Sequence, residues 1–301
     1  MSKILFDIVI LTESRYINPS KKNWYNKQVL LEDKLLHTSL ESLGLKVTRK
    51  DWTDKKFNFS SCKYAIFRTT WDYFDKINEF ISWINETKEK LIFINSSDTI
   101  LWNLNKNYLD FLHKQNINIP KTIFLKKNDT RSLEELFTKT GWNNAVLKPA
   151  ISGAAKNTFL ISKNKYHKYN KAFNDLINKE EMLFQEFIND VEKTGEISLI
   201  MIAGNYTHSV RKIAKAGDFR VQDDHGGIVK KHIATNQEIS FAKKCLEKVP
   251  FQVTYARVDI MYDNKGKITL GELELIEPEL WFRNNKSAAD KLAYEIYSKI
   301  K

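Results

Sequence analysis

The chain has 301 residues, 42% of them hydrophobic, and a formal net charge of +11. This length supports a sizeable core divided among two or three subdomains, and no apolar run approaches the ~18 residues that a membrane span requires. The lysines fall in scattered pairs such as Lys21-Lys22, Lys126-Lys127 and Lys243-Lys244, the pattern of a solvated surface, so neither a nucleic acid nor a membrane is expected as a partner.

Cys62 and Cys245 lie far apart, without metal-ligand spacing, and read as reduced thiols of a cytoplasmic protein. The opening residues 1–10 lack a small-residue cleavage pattern and look like a first strand. Residues 4–11 alternate as that strand and end in the polar loop Thr12-Glu13-Ser14-Arg15, where α/β folds commonly put binding groups. Trp24, Val29, Leu30, Leu35, Leu36, Leu40 and Leu43 are spaced for a helix over 23–43, with Gly44 as its stop. Short strands at 46–49, 64–67 and 91–94 and a helix at 80–87 make residues 1–100 an expected alternating α/β domain. The 64–67 strand runs into Arg68-Thr69-Thr70-Trp71-Asp72-Tyr73. Arg68, Trp71, Asp72 and Tyr73 are thus candidate substrate contacts at a strand's C-terminal end, weighed against an interdomain patch with Arg68 paired to Asp72.

A helix over 105–115 is expected to bury Leu109 and Leu112, and Pro120 ends it before an extended run at 121–125. After a helix at 133–137, a strand at 144–149 delivers Lys148. A lysine desolvated within Ala-Val-Leu-Lys-Pro needs an anionic partner, and phosphate is the natural one. Residues 150–158, Ala-Ile-Ser-Gly-Ala-Ala-Lys-Asn-Thr, are small enough for backbone N–H groups to approach phosphate oxygens, although neither Walker nor GxGxxG spacing is present. Then come a strand through Ile161, an amphipathic helix at 166–178 and a strand at 181–188 ending in Gln185-Glu186-Phe187-Ile188. Residues 196–202 and 206–213 pair as a hairpin about Ala203-Gly204-Asn205. Segment 217–222 is expected to be extended and His225-Gly226-Gly227 to turn. Thr235 caps a helix to about Lys248, and 286–301 forms a last amphipathic helix.

The stretch 255–280 breaks the rule that strands of a core are apolar. Tyr255 to Tyr262 and Lys267 to Ile276 flank Asp263-Asn264-Lys265-Gly266 as a hairpin. A two- or four-residue loop places Asp259 opposite Leu270 and on one face with Glu272, Glu274 and Arg257, while Val258, Ile260, Leu273 and Leu275 fill the other. A three-residue loop without a bulge reverses this parity. Carboxylates converging on one face repel unless a cation neutralises them, and hard oxygen ligands suit Mg²⁺.

The ordered set of Lys-Pro strand, small loop, Gln-Glu-Phe-Ile, Gly-Glu, Arg, and then Asp, Glu and Glu resembles the ATP-grasp ligases. Within them it is similar to the glutathione synthetase-like branch that includes the cyclo-ligase of D-cycloserine biosynthesis. The resemblance spans about 95–285 and implies an α/β (α+β) ATP-grasp fold. Its parts would be an N-terminal α/β substrate domain at 1–100, a central subdomain at 101–184 and a C-terminal subdomain with the metal site at 185–301. By position, Lys106 and Lys148 would contact ATP phosphates beneath a loop containing Ser152, Gly153 and Ala154. Gln185, Glu186, Phe187 and Ile188 would form the adenine hinge and Glu196 would accept from ribose hydroxyls. Asp259, Glu272 and Glu274 would ligate the metal, two Mg²⁺ ions with Mn²⁺ as an alternative, and Arg257 and Arg220 would hold substrate or phosphoryl oxygens. Lys212 and His225 are further candidate substrate contacts, whereas His208, within a strand, reads as packed. Two departures stand out: family members often have asparagine where Glu274 stands, and several glycines where the loop has one.

The implied reaction is ATP-dependent joining of a small, amino-acid-like carboxylate to an amine or similar nucleophile through an acyl phosphate, releasing ADP and phosphate. A ligase of peptide or protein termini and a nucleotide-binding regulator without chemistry are the other readings. Nothing in the sequence opposes a homo-oligomer.

Overall fold

The computed structural model describes residues 3–20, 23–215 and 227–301. Three sheets organise them. The first is parallel, in the order β2-β1-β3-β4, and joins β1 (Phe6–Thr12), β2 (Val47–Asp51), β3 (Cys62–Thr69) and β4 (Ile92–Ile94). Ile8, Val9, Ile10 and Leu11 are wholly buried, as expected of a parallel strand covered on both faces. Helix α1 (Trp24–Ser42) starts where the Asn23 side chain accepts from the Asn26 N–H at 2.8 Å and ends before Gly44 at φ 80°. Both ends agree with the expected bounds. Helix α2 (Ile77–Thr87) completes this part.

Helix α3 (Ser97–Asn103) was not apparent from periodicity, because seven residues give it less than two full turns. Its start is a Ser96 cap accepting from the Thr99 N–H at 3.2 Å. Helix α4 (Tyr108–Lys114) buries Leu109 and Leu112 as expected. The second sheet is antiparallel, ordered β5-β8-β6-β7, from β5 (Thr122–Leu125), β6 (Asn144–Pro149), β7 (Phe159–Ser162) and β8 (Met182–Glu186), with α5 (Leu133–Thr140) and α6 (Asn170–Ile177). The helix expected at 166–178 begins late. Residues Lys163–Tyr169 wind as a 3-10 segment without a fully buried side chain, with Tyr166 and Tyr169, three apart as that tighter winding suits, packed against the core. Strand β8 straddles the expected division at 184/185.

The third sheet is antiparallel, β11-β10-β9-β12-β13, from β9 (Glu196–Ile202), β10 (Asn205–Ile213), β11 (Ile228–His232), β12 (Tyr255–Tyr262) and β13 (Ile268–Glu274). Short helix α7 (Asp190–Thr194) precedes it. Helix α8 (Asn236–Glu247) opens with a Thr235/Glu238 capping box. Helix α9 (Ser287–Ile300) returns to the first sheet, where Ala289, Leu292 and Ile296 share a core with Ile8, Leu36 and Leu40. No helix among the described residues is long and apolar enough to cross a membrane. The calls on 217–222 and on the turn at His225 lie outside the described residues.

The β12–β13 hairpin differs from the expected register in two ways that cancel. Its loop has three residues: the Asp263 N–H donates to the Lys267 carbonyl and the Gly266 N–H to that of Asp263, both at 2.8 Å, with Gly266 at φ 76°. That reverses the parity. A bulge at Gly271 then restores it, so Asp259 faces Glu272, not Leu270, and Arg257 faces Glu274. Leu270 turns to Ile260 and joins Val258, Leu273 and Leu275 in the apolar core. The acid face therefore exists as expected, on a different pairing.

Strand β13 is an edge, and unpaired edge groups need partners. Side chains from the α3–α4 region supply them. The Leu273 N–H donates to Tyr108 Oη at 2.9 Å, Asn103 bonds Leu273 O and Leu275 N–H at 2.8 Å each, and Asn95 donates to Leu275 O at 2.9 Å. The strand carrying Glu272 and Glu274 is thus fixed on both sides.

Candidate functional site

A pocket of about 590 Å³ lies between the two antiparallel sheets and reaches the C-terminal ends of the parallel strands. One wall is cationic. Lys106, buried just before α4, donates through Nζ to the Ser152 carbonyl at 2.5 Å and pairs with Glu272 at 3.1 Å. Lys148, on β6, also lines the pocket and has no counter-ion within salt-bridge distance among the described residues. Burial pulls its pKa down, against the attraction of Glu272. Above them, the loop after β6 is held by Ala154, Ala155 and Asn157 in the left-handed region at φ 48°, 53° and 52°. It leans on the first domain through a Lys156–Asp75 ion pair and through Gly153, where an added Cβ would sit 2.5 Å from a Phe74 ring carbon. Ser152, Gly153 and Ala154 all line the pocket.

The next wall is the end of β8. Gln185, Glu186, Phe187 and Ile188 all face the pocket. The N–H groups of Glu186 and Phe187 donate to the carbonyls of Lys121 (2.8 Å) and Asn144 (3.2 Å), which fixes the backbone path of this strand end. Asn264, at the hairpin tip, reaches across: its Nδ2 donates to the Phe187 carbonyl at 2.9 Å and its Oδ1 accepts from the Asn189 N–H at 3.0 Å.

Opposite stands the acid face. The Arg257 guanidinium grips Asp259 through Nε and Nη2 at 3.0 Å each and also pairs with Glu274. Lys212 donates to Asp259 at 2.9 Å and pairs with Glu196 across the β9–β10 ladder. Burial alone would raise Asp259, but Arg257 and Lys212 override it and hold its carboxyl well below the usual carboxylate range. Burial wins at Glu196 and Glu274, both pushed up to about 7, and at Glu277, pushed to about 8 with Glu274 and Glu272 adding repulsion. At Glu272 burial is outweighed by Lys106 and Lys148, which lower it.

Whether these acids fit a divalent ion is decided by their partners. Glu272 and Glu274, two apart on one strand face, present hard oxygens to the pocket. Asp259 is aligned with them in the ladder but 1% exposed, and its carboxylate is engaged by Arg257 and Lys212. No group of three potential ligands among the described residues is close enough to hold a metal as the side chains now stand. The donor chemistry fits Mg²⁺ at Glu272 and Glu274, each of which now pairs with one cation, Lys106 and Arg257, while Asp259 pairs with two and joins them only by exchanging one.

The far end is aromatic. Tyr16 meets Trp71 edge-on at 5.5 Å, Tyr25 lies 6.4 Å from Trp71, and Trp281 carries Arg257 over its ring at 5.0 Å. Trp71 and Tyr73 line the pocket. Arg68 and Asp72 do not, which corrects their reading as substrate contacts. Arg68 is 1% exposed and donates to Glu32 on α1 and to the Pro278 carbonyl, at 2.7 and 2.9 Å, while Asp72 accepts from Trp52 and Lys76. The alternative pairing of Arg68 with Asp72 is likewise replaced by Glu32. Lys212 reaches the pocket with its charge already matched by two carboxylates. His208 is partly buried against Thr207 and is not among the pocket residues. Arg220 and His225 lie outside the described residues. Tyr16, Tyr25 and Glu277 were not singled out, and Arg15 only as the end of the polar loop after β1; that loop was the one signal near Tyr16, and Tyr25 lies on α1.

With this geometry established, comparison with known proteins gives consistent relatives. Residues 105–275, more than half of the chain, match the RimK-like ATP-grasp domain, and residues 8–95 match the N-terminal domain of D-cycloserine synthetase DcsG. The chain is 22% identical over 274 residues to the cycloserine biosynthesis protein DcsG of Streptomyces lavendulae, covering 86% of this chain and 91% of that one. A crystal structure of DcsG superposes with a TM-score of 0.86 at 17% identity over 98% of this chain and 99% of that one. D-alanine–D-alanine ligase from Bacillus anthracis follows at TM-score 0.69 and 16% identity, covering 98% and 97%. The ATP-grasp ligase PsnB, solved with a precursor peptide and AMPPNP, reaches 0.61 at 12% identity over 100% and 99%.

Proposed function

The chain belongs to the RimK-like ATP-grasp family and is an ATP-dependent ligase, and from that premise we propose that it joins a small, amino-acid-like carboxylate to an amine through an acyl phosphate. The observation that carries this is the polarity of one pocket: Lys106 and Lys148 on one wall, Glu272 and Glu274 on the other, a backbone-held strand end beside them and aromatic rings beyond.

A carboxylate oxygen of the substrate attacks the γ-phosphorus of ATP and ADP departs. The amine then attacks the acyl carbon, the C–O bond to phosphate breaks, and the amine proton passes to solvent. Phosphoryl transfer of this kind is governed by positioning and charge neutralisation. Lys148, with no counter-ion of its own, is suited to the phosphates. Lys106, already on Glu272, can move to an arriving phosphate and leave that carboxylate for the cation. Mg²⁺ held by Glu272, Glu274 and Asp259 would supply the neutralisation that two lysines alone do not complete. Arg257, held by Asp259 and Glu274, would stabilise the oxygens of the acyl group, and no protein nucleophile is required.

The pocket's size falls within the range of small-molecule sites, roughly 300 to 1,000 Å³, and the Gly153–Phe74 contact narrows it, which favours a small acceptor over a polypeptide. Incubation with ATP, Mg²⁺, a carboxylate carrying ¹⁸O and an amine tests the reading. ADP release that depends on the carboxylate, with one ¹⁸O transferred to phosphate, is the expected result. ADP formed without label in the phosphate overturns the acyl-phosphate route.

A further inference from the structure

Among the described residues that line the pocket, every ionic side chain except two has a counter-ion within salt-bridge distance. Arg15 has Glu13, Glu186 has Lys121, Glu279 has Arg283, and the acid face is matched by Lys106, Lys212 and Arg257. The exceptions are Lys148 and Glu277. Lys148 stands at the phosphate wall. Glu277 stands three residues beyond β13, where its main-chain carbonyl accepts from Trp71 Nε1 at 3.0 Å and so fixes it against the ring that Tyr16 meets edge-on.

Glu277 is half-buried, and a partly desolvated carboxylate without a cation is incomplete, while aromatic faces attract the same kind of charge. Neutral polar ligands would leave it unmatched, and a second anion would be repelled by Glu274 and Glu272 nearby. Resting on the ligase reading above, we propose that Glu277, with Trp71 and Tyr16, binds the ammonium group of the carboxylate substrate, so that the enzyme selects amino acids over their hydroxy and deamino counterparts. The ammonium concerned belongs to the activated acid and not to the attacking amine. A nucleophilic amine must be unprotonated, and a lone carboxylate beside it stabilises the protonated form. Glu277 therefore suits a group that stays charged throughout, anchoring one end of the substrate while its carboxylate lies toward Lys148.

Hydroxylamine, neutral at pH 7, replaces the acceptor in the test: it attacks the acyl carbon, phosphate leaves, and a hydroxamate and ADP are both measured. A panel of amino acids is compared with the matching 2-hydroxy and deamino acids, using the full chain with ATP and Mg²⁺. The wild type is expected to favour the amine-bearing acid by roughly 10- to 100-fold in kcat/KM, the worth of a charged hydrogen bond. Glu277→Gln is expected to bring that ratio close to one, with AMPPNP affinity retained as the control for folding. An active wild type indifferent to the amino group overturns the proposal without any variant. So does a Glu277→Gln enzyme that loses both classes of acid equally. If neither class drives ADP release, the ligase reading itself fails and this assignment falls with it.

Discussion

Lys148 and Lys212 both project from strands into the same pocket, one from each antiparallel sheet. Burial opposes the charge of both. At Lys148 it prevails and lowers the pKa; at Lys212 the attraction of Asp259 and Glu196 prevails and raises it. One lysine is thus part of a closed ionic network that holds the acid face in shape, and the other is an open charge waiting for an anion. Position in a pocket does not separate them. The count of partners does.

The largest test of that contrast is stability. Lys212→Met leaves Asp259 and Glu196 buried with one cation fewer, and breaking such a pair costs about 3–5 kcal/mol. Lys148→Met removes a charge without a partner and should leave stability within ~0.5 kcal/mol of wild type, or raise it. Urea denaturation of the two variants reads both, and equal losses would break the comparison. Next is turnover. Glu272 pairs with Lys106 and faces the open Lys148, so Glu272→Gln should retain its fold while ADP release falls at least ~100-fold, about 3 kcal/mol. Normal ADP release by the folded variant would remove Glu272 from the cation site. The third effect is affinity: Lys148→Met should weaken ATP binding by about 1.5–3 kcal/mol, or ~10- to 100-fold, by calorimetry with a non-hydrolysable analogue. Unchanged affinity would mean that the open charge serves something other than phosphate.

What the sequence made legible follows the same division between local and distant partners. The acid face was readable because residues two apart on a strand share a side whatever the register, so Glu272 stays with Glu274 and Arg257 with Asp259. The cross-strand partner was not, because a three-residue loop and a bulge at Gly271 each shift the pairing by one and neither has a unique pattern. Arg68 was misread for a different reason. Its partner, Glu32, sits 36 residues earlier on α1, and no spacing rule connects a strand end to a helix face that the fold brings beneath it. Tyr16, just after the polar loop, and Tyr25, in the first turn of α1, escaped notice because neither falls on an apolar period, and only the packing against Trp71 makes them a wall.

The smallest effect probes whether the two sheets act together on the nucleotide. Asn264 belongs to the hairpin turn that serves the acid face, yet among the described residues its side chain bonds to the segment after the strand end of the other sheet, at the Phe187 carbonyl and at both the N–H and Nδ2 of Asn189. Asn264→Ala removes all three bonds without touching the pocket lining or the turn's own main-chain bonds, so the hairpin should form as before. Losing them should cost about 1 kcal/mol of nucleotide affinity, seen as a KM for ATP raised ~5-fold with kcat nearly unchanged. Asn264→Asp separates the two contacts, since a carboxylate keeps the acceptor for Asn189 and forfeits the donor to Phe187; an intermediate KM is expected. If Asn264→Ala instead lowers kcat and leaves KM alone, the bridge positions the acids of the hairpin and not the strand end at Phe187, and the coupling between the sheets runs in the opposite direction.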